Sequence, residues 1–339
     1  MEYRPLGSTG TVVSTLCLGA MTFGKESDEK LSHAQLDRFV ERGGNFIDTA
    51  DVYSQGISEE IIGRWLAARP GVRGQIVLAT KGRFPMGAGP NDHGLSRTHL
   101  TRALEASLRR LGVEAIDLYQ AHAWDPITPI EETLRFYDDA VRAGKIRYAG
   151  VSNFLGWQLQ KAATLTELRG LTPIVTLQPQ YNLITRDIEF ELVDVCGNEG
   201  IGILPWSPLA GGWLTGKYRR DEVPSGPSRL GEEPERGMEA YTPRNAQERT
   251  WRIVDAVRRA AEDRGVSMAQ VALAWVADRP AVTSVILGAR TLEQLDDNLG
   301  AAGLHLSERE TALLDEASAP VVADYPYGGP GVAQRSRRF

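Results

Sequence analysis

From Leu16 onward the chain alternates short apolar runs with longer amphipathic stretches. Eight runs have the length and bounding turn residues of buried strands: 16–19, 46–48, 76–80, 116–121, 148–152, 176–179, 203–206 and 284–287. Between them, apolar positions recur at helical spacing over 28–42, 58–68, 96–110, 129–143, 156–166 and 187–199. Two further helices, 246–264 and 267–277, precede the eighth strand, and 292–301 and 307–317 follow it. Ser58-Glu59-Glu60 reads as a helix cap with an acidic first turn, while Gly43-Gly44, Gly112 and Gly144 stand where a left-handed residue closes a helix.

Eight strand-and-helix units in one run predict an α/β chain closed into a (β/α)8 TIM barrel, since an open doubly wound sheet more often has about five or six strands. Residues 3–6 and 12–13, joined through Gly7-Ser8-Thr9-Gly10, read as a hairpin that plugs the barrel floor. No linker divides the chain, so residues 1–339 are expected to form one domain with 320–339 as a C-terminal tail. The stretches 83–95, 207–245 and 319–339 are too long for simple connections. The first two follow strands three and seven, which puts them on the face where a parallel barrel presents its strand ends to substrate.

Composition narrows function mainly by exclusion. Of the 339 residues, 42% are hydrophobic and 24% charged, an ordinary globular balance. A net charge of -6 and a pI near 5.6 argue against a nucleic-acid or anionic-membrane surface. The one basic cluster, Arg335 to Arg338, reads as a solvated tail. Cys17 and Cys196 fall in apolar contexts and read as reduced core thiols. The opening MEYRPLGSTG has no secretory pattern, and no apolar run approaches the ~20 residues of a membrane span, so the expected location is cytoplasmic. The histidines show no zinc-ligand spacing, and no metal is expected.

Asp48, Lys81 and His122 each end an apolar run, and Tyr53 follows one closely. Singly, such a tyrosine is usually a packing residue and such a lysine a solvated one. Together they suit proton donation. Tyrosine and lysine titrate near ~10 and ~10.4, so an acid working at neutral pH needs a cation beside its phenol. Lys81 can supply the cation, Asp48 can keep it charged and oriented, and His122 can steer a carbonyl. Asp51 reads as a loop carboxylate. The combination points to carbonyl reduction of a small-molecule substrate.

The segments DTADVY, VLATKG, the strand ending in His122, GVSNF, Gln178 followed by Tyr181-Asn182, WSPLAGGWLTGKY and ILGARTLEQLDDN occur in an order that resembles the aldo-keto reductases. The resemblance runs from the hairpin to the last helix and lies nearest the bacterial reductases related to voltage-gated potassium-channel β subunits. It implies an NADPH/NADP+ enzyme in which Tyr53 donates a proton, Lys81 and Asp48 tune it, and His122 positions the carbonyl. By the same match Gly19 and Asp48 are expected among the cofactor-binding residues, Ser152, Asn153 and Gln178 hold the carboxamide, and Trp206 stacks on the nicotinamide ring. Ser207, Leu209, Gly211 and Lys217 follow the pyrophosphate; Gly288, Arg290, Gln294 and Asn298 hold the adenosine, with Arg290 and Arg229 on a 2′-phosphate. Phe84, Trp124, Trp213 and Tyr325 are expected to line the substrate mouth, with Tyr327 beside them.

The resemblance also leaves a second function open, a cofactor-sensing regulatory subunit with little turnover; His122 favours the enzyme, because the channel-associated branch lacks that imidazole. A barrel enzyme of other chemistry, such as a phosphosugar isomerase, would instead have no nicotinamide affinity. The run from Gly211 to Lys217 has the glycine and lysine spacing of a P-loop, but Tyr218 stands where Ser or Thr would bind magnesium. No G-x-G-x-x-G follows a strand, so a Rossmann domain is not expected. Oligomeric state and physiological substrate are not legible.

Overall fold

Short apolar runs buried on both faces form eight parallel strands in the computed structural model, which describes residues 1–336. They are β1 Leu16–Gly19, β2 Phe46–Asp48, β3 Val77–Gly82, β4 Ile116–Ala121, β5 Ile146–Ser152, β6 Ile174–Gln178, β7 Gly202–Ile203 and β8 Val285–Leu287. The sheet runs from β8 through β1 to β7 in chain order. The ring closes where Thr283 N donates to Ile203 O at 2.9 Å and Ile286 N donates to Pro205 O at 2.9 Å. This is the (β/α)8 barrel expected from the alternation. Arg337 and Arg338 of the basic terminus lie outside the described residues.

Side chains alternate across each strand, and this creates two apolar layers. Inside the barrel, Cys17, Phe46, Val77, Ala79, Leu118, Val175, Leu204 and Ile286 pack on Leu6 and Val13 of the hairpin Tyr3–Pro5 with Val12–Ser14. The hairpin does plug the floor. Gly7, at φ +57, lies so close that a Cβ there would sit 2.2 Å from Val175 O. The outer layer joins the strands to α1 Glu29–Glu41, α2 Ile57–Ala67, α3 Arg97–Leu111, α4 Ile130–Arg142, α5 Gly156–Arg169, α6 Leu192–Glu199, α7 Glu248–Arg264, α8 Met268–Ala277, α9 Leu292–Leu299 and α10 Glu308–Ser318. Among the described residues no helix is long and apolar enough to cross a membrane.

Several expectations need correction. The helix expected over 187–199 is a 3-10 turn, Asp187–Phe190, and then α6, broken at Glu191 with φ -145. Gly156 lies against the Glu191 side chain there, and Tyr327 hydrogen-bonds its carboxylate. Strand β7 is shorter than 203–206, because Pro205 has no N–H to give the ladder. Ser58 does not cap α2: the cap position is Gly56, and the Ser58 hydroxyl donates to Ala20 O at 2.8 Å. Cys17 and Cys196 are buried and free, and burial pushes the Cys196 thiol up to about 12.

Candidate active site

Strand register brings the polar ends together. Gly19, Asp48 and Ala79 are neighbours across β1, β2 and β3, Lys81 pairs with Gln120, and Ser152 pairs with Gln178. Asp48 uses both oxygens: Oδ2 accepts from Lys81 Nζ at 2.5 Å, and Oδ1 accepts from Gln178 at 3.0 Å and Gln120 at 3.2 Å. Lys81 also donates to Thr49 O at 2.8 Å and to Tyr53 Oη at 3.4 Å, so its three N–H groups all have acceptors. Gln120 is a member of this group that sequence reasoning missed. Its signal was present, since Leu118, Gln120 and His122 share one phase of β4.

Tyr53 opens a tight turn in which Ser54 and Gln55 hold φ of +49 and +55, followed by Gly56 at +95. Left-handed backbone at non-glycine residues costs roughly 1–3 kcal/mol each, so the turn must be pinned from outside. Asp51 N donates to Lys81 O at 3.1 Å, and Ser54 Oγ donates to Phe23 O at 2.9 Å. Beneath it, Arg110 crosses Gly56 so closely that a Cβ there would meet its Cδ at 2.8 Å. Arg110 in turn donates to Glu59 Oε2 at 2.7 Å, and Thr80 donates to Oε1 at 2.6 Å. Glu59 is therefore a fully buried tether, not an exposed first-turn acid.

The electrostatics follow from enclosure. Burial of the Tyr53 hydroxyl raises its pKa and outweighs the opposing field of Lys81, so the phenol keeps its proton above the ordinary range. Lys81 does draw the value downward, as expected, but by less than burial raises it. Burial opposes the Lys81 charge, but Asp48 and Tyr53 outweigh it and hold the ammonium above its usual value. Burial, then Lys81 and Arg83, push His122 well below 6.5, so it is neutral. Its ring stands edge-on to Tyr53 at 5.7 Å and to Phe84 at 4.7 Å. Asp51 is not a solvated loop carboxylate: it is buried, neither oxygen has a hydrogen-bond partner, and burial with the neighbouring Glu59 raises it to about 7.

A groove continues along the strand ends. Ser152 Oγ donates to Gln178 O at 2.7 Å, and Asn153 donates to His122 O and Ser152 Oγ, both at 3.0 Å. Trp206, half-buried, donates through Nε1 to Asn153 Oδ1 at 3.1 Å. Gln178 thus spends its amide on Asp48, and at Gly19 a Cβ would come within 2.7 Å of Ile286 Cγ2. Ser207 has φ +54, half-buried Leu209 caps the turn Ala210–Thr215, and Gly211 O accepts from Tyr218 Oη at 2.9 Å. No helix follows the Gly211 to Lys217 run directly, which removes the P-loop reading.

Beyond this turn, cations gather. Partial burial and then Arg290 and Arg229 pull Lys217 below its ordinary value, and burial followed by Arg236 does the same to Arg229. The Lys217 side chain is still open to solvent, so its displacement is modest. Arg290 pairs with Glu232 at 2.5 Å, yet its second Nη and the Nε of Arg229 are enclosed without acceptors. Gln294 accepts from Arg290 N at 2.9 Å and Asn298 donates to Gly288 O at 3.3 Å. At exposed Gly288 a Cβ would meet only Gly19 O, at 4.0 Å. Orphaned guanidinium donors beside an open glycine fit a polyanion such as a dinucleotide phosphate.

Of the four residues expected at the mouth, Phe84 is half-buried against His122, and Trp124 is half-buried against Phe154 and Trp157. Trp213 is not at the mouth: it is 1% exposed, stacked on Tyr241 and enclosed by Tyr218 and Trp251, as the core of the long loop. Tyr325 is 70% exposed on the tail, and Tyr327 stacks on Phe190 at 5.0 Å. Trp157, which sequence reasoning passed over, stands edge-on to Trp124 at 5.3 Å and is 56% exposed. Its position one residue inside α5 made it look like an ordinary helix side chain.

The chain is 38% identical to the uncharacterized oxidoreductase YrpG of Bacillus subtilis, covering 93% of this chain and 95% of that protein. It is 38% identical to a probable voltage-gated potassium channel subunit beta of Arabidopsis thaliana, over 89% of this chain and 91% of the relative. It is 33% identical to versiconal hemiacetal acetate reductase of Aspergillus parasiticus, over 94% and 98%. The model of the Aldo/keto reductase family matches residues 15–319, and the chain belongs to that family of oxidoreductases.

Proposed function

We propose that the protein reduces an aldehyde or ketone to an alcohol, with NADPH as reductant and Tyr53 as proton donor. The observation that carries this reading is the Lys81 ammonium fixed between Asp48 Oδ2 and Tyr53 Oη, beside a neutral His122. Bound NADPH supplies the hydride that adds to the carbonyl carbon. Tyr53 accepts a hydrogen bond from Lys81, so its own O–H is left to donate to the carbonyl oxygen. As that proton leaves, Lys81 stabilises the phenolate, and Asp48 prevents the ammonium from surrendering its charge. His122, neutral and held between Tyr53 and Phe84, orients the carbonyl without competing as a strong acid.

Trp206, Ser152 and Asn153 are read as the ring and carboxamide contacts, and Ser207, Leu209, Gly211 and Lys217 as the pyrophosphate path. Gly288, Gln294 and Asn298 are assigned to the adenosine, and Arg290 with Arg229 to a 2′-phosphate, which favours NADPH over NADH. We read residues 1–339 as one catalytic unit acting on small carbonyl compounds in the cytoplasm. A purified sample should oxidise NADPH only when an activated aldehyde is present. Binding of NADPH without turnover of any aldehyde would instead favour a cofactor-sensing subunit.

A further inference from the structure

Arg83 follows β3 directly. Its guanidinium lies over the Phe84 ring at 4.9 Å, and Phe84 meets His122 at 4.7 Å, so two ring contacts separate the cation from the imidazole. One Nη donates to Trp124 O at 3.2 Å, Nε is enclosed without an acceptor, and no ion pair to Arg83 is formed among the described residues. Asp125, beside Trp124, is already spent on Leu95 N at 2.8 Å, Ile127 N at 3.0 Å and the Thr128 hydroxyl at 2.6 Å. Asp125 keeps its charge and is close enough to interact with Arg83, but no carboxylate among the described residues comes within ion-pair distance of the guanidinium, whose charge is also felt at His122.

The walls around it are aromatic. Trp124 packs edge-on to Phe154 at 5.1 Å and to Trp157, and the lip continues into Leu155, 59% exposed. Planar apolar walls suit a ring, and the second Nη of Arg83, which has no acceptor among the described residues and is not enclosed, suits a carboxylate at their edge.

We infer that the site takes aromatic aldehydes or ketones whose ring bears an anionic acceptor, a carboxylate above all, and that Arg83 is the residue that recognises it. The inference rests on the carbonyl-reductase reading. A substrate of this kind places its carbonyl against Tyr53 and His122, its ring beside Phe84 and Trp124, and its carboxylate on Arg83.

The test compares para-carboxybenzaldehyde with its methyl ester, which is similar in shape but neutral, and whose electron-withdrawing ester makes it the intrinsically more reactive aldehyde, so that a preference for the acid must come from binding. With wild-type protein and NADPH, kcat/KM should favour the acid by about tenfold, and added salt should shrink the ratio. Arg83→Gln should bring the ratio to unity or below, with Arg83→Lys between the two. A wild-type ratio of one or less, or an unchanged ratio in Arg83→Gln, overturns the inference. If neither aldehyde reacts, the reductase reading fails, and recognition is then decided by titrating para-methylbenzoate against tryptophan fluorescence. Binding that weakens in Arg83→Gln supports Arg83 as the carboxylate contact; equal affinity, or no wild-type binding, rejects it.

Discussion

Lys81 Nζ donates to Tyr53 Oη at 3.4 Å while its other two N–H groups are held by Asp48 and Thr49 O. The phenol therefore acts as acceptor toward Lys81 and remains a donor toward whatever enters the mouth. Replacing Tyr53 with Phe removes that donor and leaves the groove lined by Trp206 and Gly288 untouched. Aldehyde reduction should fall ~10²–10⁴-fold, with NADPH affinity close to wild type. Steady-state rates and a cofactor titration check this; a Tyr53→Phe protein that still reduces aldehydes at the wild-type rate would remove the proton-donor assignment.

Asp48 is the sole carboxylate bonded to the buried Lys81 among the described residues, and it also anchors Gln120 and Gln178. Asp48→Asn leaves an enclosed ammonium without a counter-charge. Loss of one partner from a buried pair costs about 3–5 kcal/mol, and urea unfolding should show a drop of that order. Lys81→Met added to Asp48→Asn should recover part of it, because the stranded charge is gone. A double variant less stable than the single one would count against the pair as the source of the loss.

Asp51 gives a pH dependence of stability with a defined sign. Its native value is about 7, while an unfolded aspartate titrates near ~3.9. Between these values the native state holds a proton that the unfolded chain has released. Stability from this group therefore falls as pH rises across that window, by at most ~1.4 kcal/mol per unit, and levels off above it. Asp51→Asn cannot ionise, so its melting temperature should exceed the wild-type value at pH ~8, with the gain shrinking toward pH ~4. Parallel melting curves with no such convergence would show that the burial of Asp51 is relieved in solution.

The barrel, its hairpin floor and the quartet of Asp48, Tyr53, Lys81 and His122 were legible because each depends on local periodicity. Apolar runs gave the strands, and a polar residue ending a run must lie at the barrel mouth. Residues whose roles depend on partners distant in sequence were not legible. Glu59 looks like a solvated helix acid until Arg110, at the end of the next helix, is seen beneath it. Trp213 looks like a pocket residue because nothing in its own segment shows that Tyr241 and Trp251 fold back over it. Asp51 gave no signal, since only tertiary enclosure separates it from an ordinary loop carboxylate.

Arg290 should discriminate between the two nicotinamide cofactors. Its ion pair with Glu232 leaves one Nη enclosed and unpaired, as a donor for a phosphate would be. A charge-assisted contact contributes ~1.5–3 kcal/mol, so Arg290→Ala should weaken NADPH binding about 10- to 100-fold. NADH, which lacks the 2′-phosphate, should lose much less. Fluorescence titrations with both cofactors measure the difference, and equal losses would move the 2′-phosphate elsewhere.

Arg229 is expected to trade stability against cofactor binding. Its side chain is half-buried above Gly211, its Nε has no acceptor, and the nearby Arg236 is already paired with Glu26 at 2.8 Å. Burial and Arg236 disfavour its charge by more than Glu239 and Glu26 offset, so the free protein carries a cost at this position that an added anion would relieve. Arg229→Met keeps most of the apolar stem and removes the charge. The free protein should melt about 1–2 °C higher, whereas the rise in melting temperature produced by saturating NADPH should become smaller. The two shifts have opposite signs, which separates a phosphate-holding cation from one that merely braces the loop: a brace, once cut, lowers the melting temperature with and without cofactor alike.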